Sequence, residues 1–312
     1  LHEPYRRQRQ MCIRDSFKRE RLLVYEVLIK VVMRLIKMTG GLGNQMFIYA
    51  MYLKMKTIFP DVRIDLSDMV HYQVHYGYEM NKVFHLPRTE FCINRSLKKI
   101  IEFLLFKTIL ERKQGGSLVP YTRKYHWPWI YFKGFYQSEK YFAGIEKEVR
   151  EAFVFDIRRA SRRSLRAMQE IKADPHAVSI HVRRGDYLLE KHWKALGCIC
   201  QSSYYLNALA ELEKRVKNPH YYVFSEDLNW VRQNLPLTKA EFIDWNKGED
   251  SWQDMMLMSH CRHHIICNST FSWWGAWLNP SLDKIVIAPE RWTQTTDSAD
   301  VVPESWLKVS IG

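Results

Sequence analysis

No run of about eighteen apolar residues is free of charge, so the sequence predicts no transmembrane helix. The nearest approach, Leu22 to Ile36, is interrupted by Glu26, Lys30 and Arg34. Cysteine is scarce: six among 312 residues, irregularly spaced. That excludes a disulfide scaffold and predicts free thiols in a reducing compartment. The chain also lacks the P-loop and the dinucleotide fingerprint. It has no Asp-x-Asp, the pattern with which many nucleotide-sugar enzymes hold a divalent ion. His260, Cys261, His263, His264 and Cys267 invite a zinc reading, but their spacing fits neither a finger nor a helical pair, and no metal is expected. Internal repeats and low-complexity tracts are missing too. With 46% hydrophobic and 26% charged residues, disordered and fibrous architectures are out.

What is present is aromatic and basic. Phe, Trp and Tyr make up 14%, and Lys plus Arg exceed Asp plus Glu by a net +13. A basic chain favours anionic partners, whether nucleic acid, a lipid surface or a phosphorylated small molecule, and composition does not choose among them. Residues 1–32 crowd Arg and Lys into a polar opening unlike the rest and read as an artefactual or disordered extension, not a signal peptide.

From Met33 the pattern is strand, glycine loop, helix: a strand at 34–38, the loop Thr39 to Gly43, then a helix from Asn44 to Thr57. A strand at 62–66 follows. Residues 70–130 are hard to parse, with a helix expected near Leu97–Leu110 and loops at Gly115-Gly116 and Trp127-Pro128. A strand at 131–135 precedes a short helix from Ser138 and two amphipathic helices near 145–153 and 158–171. A second cadence starts at the strand 177–182, with strands at 221–224, 242–243, 264–267 and 285–288 alternating with helices. Such alternation means parallel α/β sheets covered on both faces. The chain divides, on this pattern, into an N-terminal Rossmann-like domain over 33–150 and a C-terminal one over 151–312.

Ligands in such sheets sit beyond the carboxyl ends of the strands. Ile180 to Tyr187 places Arg183 and Arg184 directly after a strand, a fork of donors matched to phosphate oxygens, with Gly185 permitting close approach and Asp186 holding a guanidinium. Asn268 to Leu278 follows another strand and opens a helix, where free amides and the hydroxyls of Ser269, Thr270 and Ser272 form a phosphate cradle. Gly40 to Gln45 could bring backbone close to a ligand. Val223 to Asp227 runs a strand into Glu226 and Asp227, which serve either a base edge or the N-cap of the next helix.

Five segments together carry a resemblance. Residues 40–47, 134–142, 181–187, 224–227 and 268–278 resemble, in order and spacing, the bacterial α-1,2-fucosyltransferases of glycosyltransferase family eleven. The likeness runs from Met33 to near the C-terminus. It implies a GT-B architecture, two Rossmann-like doubly wound domains with the site in the cleft, acceptor side first and GDP-fucose side second. It implies inverting, metal-independent transfer of fucose from GDP-fucose to the 2-hydroxyl of a terminal β-galactose, with no cofactor. By position, Arg184 is similar to the arginine that pairs with the diphosphate, supported by Arg183. His181 and Asp227, with Glu226 beside it, resemble guanine contacts. Ser269, Thr270 and Phe271 would hold the β-phosphate and fucose. Gly41, Gly43 and Asn44 belong to the glycine loop, whose asparagine lines the reaction centre in protein O-fucosyltransferases. Glu139 and Asp186 are the candidate bases, and neither is singled out, since an oxocarbenium-like transition state needs little or only late deprotonation of the attacking hydroxyl.

The competing expectations are a different GDP-sugar or regiochemistry, a GDP-sugar-binding module without turnover, and a basic nucleic-acid binder. The last is disfavoured because the arginines sit at strand ends. Without an anchor the expected place is the cytoplasm, with contact at the inner membrane face to a lipid-linked acceptor.

Overall fold

The structure is a computed structural model that describes residues 33–69, 76–87, 90–91, 106–111, 127, 129–294 and 299–312. The extension at 1–32, most of the predicted helix near Leu97–Leu110 and the Gly115-Gly116 loop lie outside the described residues.

Two parallel sheets organise the chain. The first contains β1 (Met33–Lys37), β2 (Val62–Asp65), β3 (Glu90–Phe91), β4 (Lys107–Leu110) and β5 (Trp129–Lys133), in the order β3-β2-β1-β5-β4. The second contains β6 (Ala177–Val182), β7 (His220–Ser225), β8 (Ala240–Ile243), β9 (His263–Ile265), β10 (Val286–Pro289) and β11 (Leu307–Val309), in the order β11-β10-β9-β6-β7-β8. Every pairing in both sheets is parallel. Strand β6 (AVSIHV) is buried at all its positions, as expected of a central strand covered on both faces.

Helices cover the sheets: α1 (Leu42–Lys56), α2 (Glu146–Ala152), α3 (Arg162–Ala173), α4 (Ser202–Glu213), α5 (Leu228–Asn234), α6 (Trp252–Met258) and α7 (Thr270–Leu278). Helix α3 shows the local logic. Ser161 caps it by accepting from the Ser164 amide at 3.1 Å, and Ala167, Met168 and Ile171 line its buried stripe. The helix expected from Arg158 therefore starts later. Asp156 caps a separate turn at Ile157–Arg159 instead.

Helices α1 and α7 are buried almost all round and join the two sheets. Phe47 packs against Trp273 and Trp274 at 4.5 and 4.8 Å between ring centroids, and Phe142 stacks on Trp274 at 5.7 Å. The Trp274 indole donates to the Gly43 carbonyl at 2.9 Å. One apolar core thus runs from the first lobe into the second, and most of the aromatic excess is spent there.

One expected element is overturned. Lys107–Leu110 is not the end of a helix but strand β4, paired residue for residue with Ile130 to Lys133 of β5. Its exposed side chains alternate too weakly to mark a strand in sequence; the ladder to β5 decides the conformation. The short strands β3 and β11 were not anticipated either. Among the described residues no helix is long and apolar enough to cross a membrane.

Candidate active site

The site is assembled where the carboxyl end of β6 meets the starts of α1 and α7. Gly40 adopts φ +82° and turns the chain off β1, a conformation that favours glycine. Gly41 is the N-cap of α1. Gly43 then lies directly against the start of α7. A Cβ there would come within 2.6 Å of the Thr270 hydroxyl and 2.8 Å of the Phe271 amide. Two motifs more than two hundred residues apart thus share one corner, which no helix–strand pattern could reveal. Asn44, in the first turn of α1, accepts from the Gln137 amide at 2.7 Å. That bond ties the 134–142 segment to the glycine loop.

The arginine pair leaves β6 beside this corner. Arg183 bonds Asp186 at 2.7 Å and Glu226 at 3.0 Å. Arg184 bonds Asp227 at 3.1 Å and lies over the Trp230 ring at 4.3 Å from its centroid. Asp227 also caps α5 through the Trp230 amide at 3.1 Å. The two roles weighed for this carboxylate therefore coexist: it anchors a helix and aims an arginine. Gly185 is held small by Glu226, whose carboxylate would meet an added Cβ at 2.6 Å.

His181 is only 6% exposed. Burial, aided by the Arg183 charge, pushes its pKa down to about 3, so the imidazole is neutral at physiological pH. Its Nδ1 lies 3.2 Å from the Cys267 thiol and its ring 5.8 Å from Phe271, so a ligand contact falls to Nε2.

Two groups expected in this corner have partners of their own. Ser269 caps α7 by accepting from the Phe271 amide at 3.4 Å, and the buried Ser272 donates back to the Ser269 carbonyl at 3.3 Å. The Thr270 hydroxyl is the one that meets the glycine loop, at Gly43. Glu139 stands at the other end of α7. Its carboxylate accepts from the Trp277 indole at 3.3 Å, near the carboxyl end of α7, whereas the arginines and glycines gather at the amino end. Arg150 and Lys284 bond carbonyls at that same carboxyl end, where the helix dipole favours cations. Glu139 belongs to that structural cluster. Asp186 is committed to Arg183.

The histidine- and cysteine-rich run is taken up by the second sheet. His264 sits between the Ser179 hydroxyl at 2.8 Å and the Asn279 amide at 2.9 Å, and His263 accepts from the Ile285 amide at 3.0 Å. Among the described residues no three His, Cys, Asp or Glu side chains group to hold a metal ion.

Sequence reasoning missed Asp254 and Glu79, which carry no motif. The Asp254 carboxylate accepts from Asn246 at 2.8 Å, and Asn246 in turn accepts from the Ser164 hydroxyl at 2.8 Å. Burial, reinforced by Glu226, raises its pKa to about 7. The folded chain therefore holds a proton that the unfolded chain releases near pH 4. The associated stability is full below pH 4 and is lost as pH rises through 7. Asp254→Asn keeps the acceptor oxygen without the charge. It is expected to stabilise the fold by about 3–4 kcal/mol at pH 8 and by almost nothing at pH 4. Urea unfolding of both proteins across that range checks this, and a pH-independent difference contradicts it.

Residues 29–309 match the family described as Glycosyl transferase family 11. The chain belongs to that family. It is 30% identical over 289 residues to an alpha-1,2-colitosyltransferase of Escherichia coli, covering 88% of this chain and 97% of that one. It is 29% identical over 160 residues to galactoside alpha-(1,2)-fucosyltransferase 1 of Ateles belzebuth, covering 48% of this chain and 43% of that one. Among solved structures, an alpha-1,6-fucosyltransferase NodZ co-crystallised with GDP superposes with a TM-score of 0.50 at 14% identity, over 80% of this chain and 93% of that one. That likeness concerns the fold, and it fits the GT-B arrangement expected from the sequence, with two parallel α/β sheets. As a family 11 member the chain is a glycosyltransferase.

Proposed function

We propose that the chain transfers L-fucose from GDP-β-L-fucose to the 2-hydroxyl of a terminal β-galactose, inverting the anomeric carbon without a metal ion. The observation that carries this is the corner where Gly43 abuts the Thr270 hydroxyl and the Phe271 amide at the amino end of α7, with Arg183 and Arg184 following strand β6, whose His181 ring lies 5.8 Å from Phe271. These groups match a leaving diphosphate: the charge that grows on GDP as the bond from C1 to phosphate oxygen breaks would meet donors already in place. Arginine, always charged and forked, suits that task better than any titrating group. Asp227 and Trp230 hold Arg184 ready from below, so little reorganisation accompanies bond cleavage.

A second donor is favoured by one observation. The relative that aligns along nearly its whole length is named a colitosyltransferase, so a GDP-linked deoxy sugar other than fucose is the alternative for the same site and regiochemistry. The net charge of +13 supports a peripheral contact with anionic lipid, which would present a lipid-linked acceptor. Titrating the protein with GDP, UDP and ADP in EDTA tests the donor class. The expected result is saturable binding of GDP at least tenfold tighter than of the other two, and no GDP binding overturns the proposal.

A further inference from the structure

The structure leaves the transfer without an obvious proton acceptor, because Glu139 lies at the wrong end of α7 and Asp186 is bound to Arg183. One buried carboxyl at the glycine loop has no part in the account so far. Resting on the function proposed above, we infer that Glu79 is the catalytic base, taking the proton from the attacking hydroxyl of the acceptor.

The geometry is specific. The chain turns through left-handed Tyr76 (φ 61°) and Gly77 (φ 73°) and returns to the glycine loop. Gln45 clasps the two segments together. Its amide nitrogen donates to the carbonyls of Gly40 at 2.8 Å and Gly77 at 2.7 Å, and its oxygen accepts from the Glu79 amide at 2.9 Å. The Glu79 carboxylate accepts from the backbone amide of Leu42, one residue before the glycine that touches Thr270 and Phe271. Glu79 is 6% exposed. Lys82 and Glu249, whose ion pair at 3.4 Å bridges the two lobes, are the charged groups that act on it. The carboxyl thus sits at the amino end of α1, bonded to the residue that precedes Gly43. An acceptor hydroxyl presented at the glycine loop would have this base beside it.

The protonation state suits the task. Burial raises the Glu79 pKa to about 7, against the lowering effects of the Leu42 amide and Lys82. A base poised near the working pH is effective because it is both available and strong. In the step, the acceptor O–H bond breaks and its proton passes to Glu79. The oxygen's electron pair forms the bond to C1 of the sugar. The bond from C1 to the β-phosphate oxygen breaks, and its pair leaves with GDP beside Arg184. Glu79 later returns the proton to water.

The test is Glu79→Gln, whose amide oxygen still accepts from Leu42, so a purely structural role would be retained. Transfer is expected to fall by about 10²–10⁴, with GDP affinity within about twofold of the wild type. The wild-type rate should rise with pH through a midpoint near 7, and that limb should vanish in the variant. Should Glu79→Gln melt early, Glu79→Asp replaces it, with the limb retained at a lower kcat. Transfer within about fivefold of the wild type, or an unchanged limb, or a loss of GDP binding matching the loss of rate, overturns the assignment of Glu79 alone. A wild type that binds no GDP overturns the underlying function instead.

Discussion

Arg184→Ala is expected to lower turnover by roughly 10²–10³, the cost of removing one preorganised donor from a developing oxyanion. The guanidinium does not float. Asp227 binds its Nε at 3.1 Å and the Trp230 ring supports its face at 4.3 Å. Its remaining donors are therefore aimed before substrate arrives. Arg184→Lys should recover only part of the loss, because an ammonium cannot reproduce the fork that serves Asp227 and a phosphate together. Both kcat and kcat/KM should fall, since the interaction strengthens as charge develops. A loss under tenfold in steady-state GDP release would contradict a role for Arg184 at the diphosphate. The melting temperature should barely move, as this ion pair is partly exposed and such pairs add little to stability.

Trp274→Ala is expected to be the most damaging change to the fold, costing about 3–5 kcal/mol. Trp274 is fully buried and packs against Phe47, Phe142, Phe153, Trp273 and Trp277. Its indole N–H also satisfies the Gly43 carbonyl at 2.9 Å. Truncation leaves a cavity between the lobes and an unpaired carbonyl in the glycine loop, two costs that add. Because that loop belongs to the site, the variant should also lose activity at temperatures where it is still folded. Trp274→Phe keeps much of the packing and loses the hydrogen bond, so it should fall between. Urea unfolding measures the series, and a loss under 1 kcal/mol for the alanine variant would contradict the joint packing.

The second lobe was far more legible than the first, for physical reasons. Strand β6 is a six-residue apolar run flanked by a break at Asp174-Pro175, and its boundaries came out as expected. Tertiary contacts rather than local propensity decide β4, whose Lys-Thr-Ile-Leu stretch is mostly exposed and held by β5. The α7 start is set by Ser269, which caps the helix, although Ser272 looks like an equally good cap in sequence. In the candidate site, residues within a motif could be singled out from sequence and those outside one could not. Arg184, Asp227 and Gly43 sit in distinctive strings. Glu79 and Asp254 stand out only through pKa values raised by burial, and burial is a property of the fold. Glu139 also stands in a distinctive string, and in the fold its carboxylate accepts from the Trp277 indole.

The most direct test of the central claim is to incubate the protein with GDP-fucose and lactose in EDTA and determine the linkage of the product. The account predicts GDP release coupled to an α-fucosyl group on the 2-hydroxyl of galactose. A fucosyl group on any other hydroxyl, or turnover that appears only when a divalent metal is restored, would contradict it.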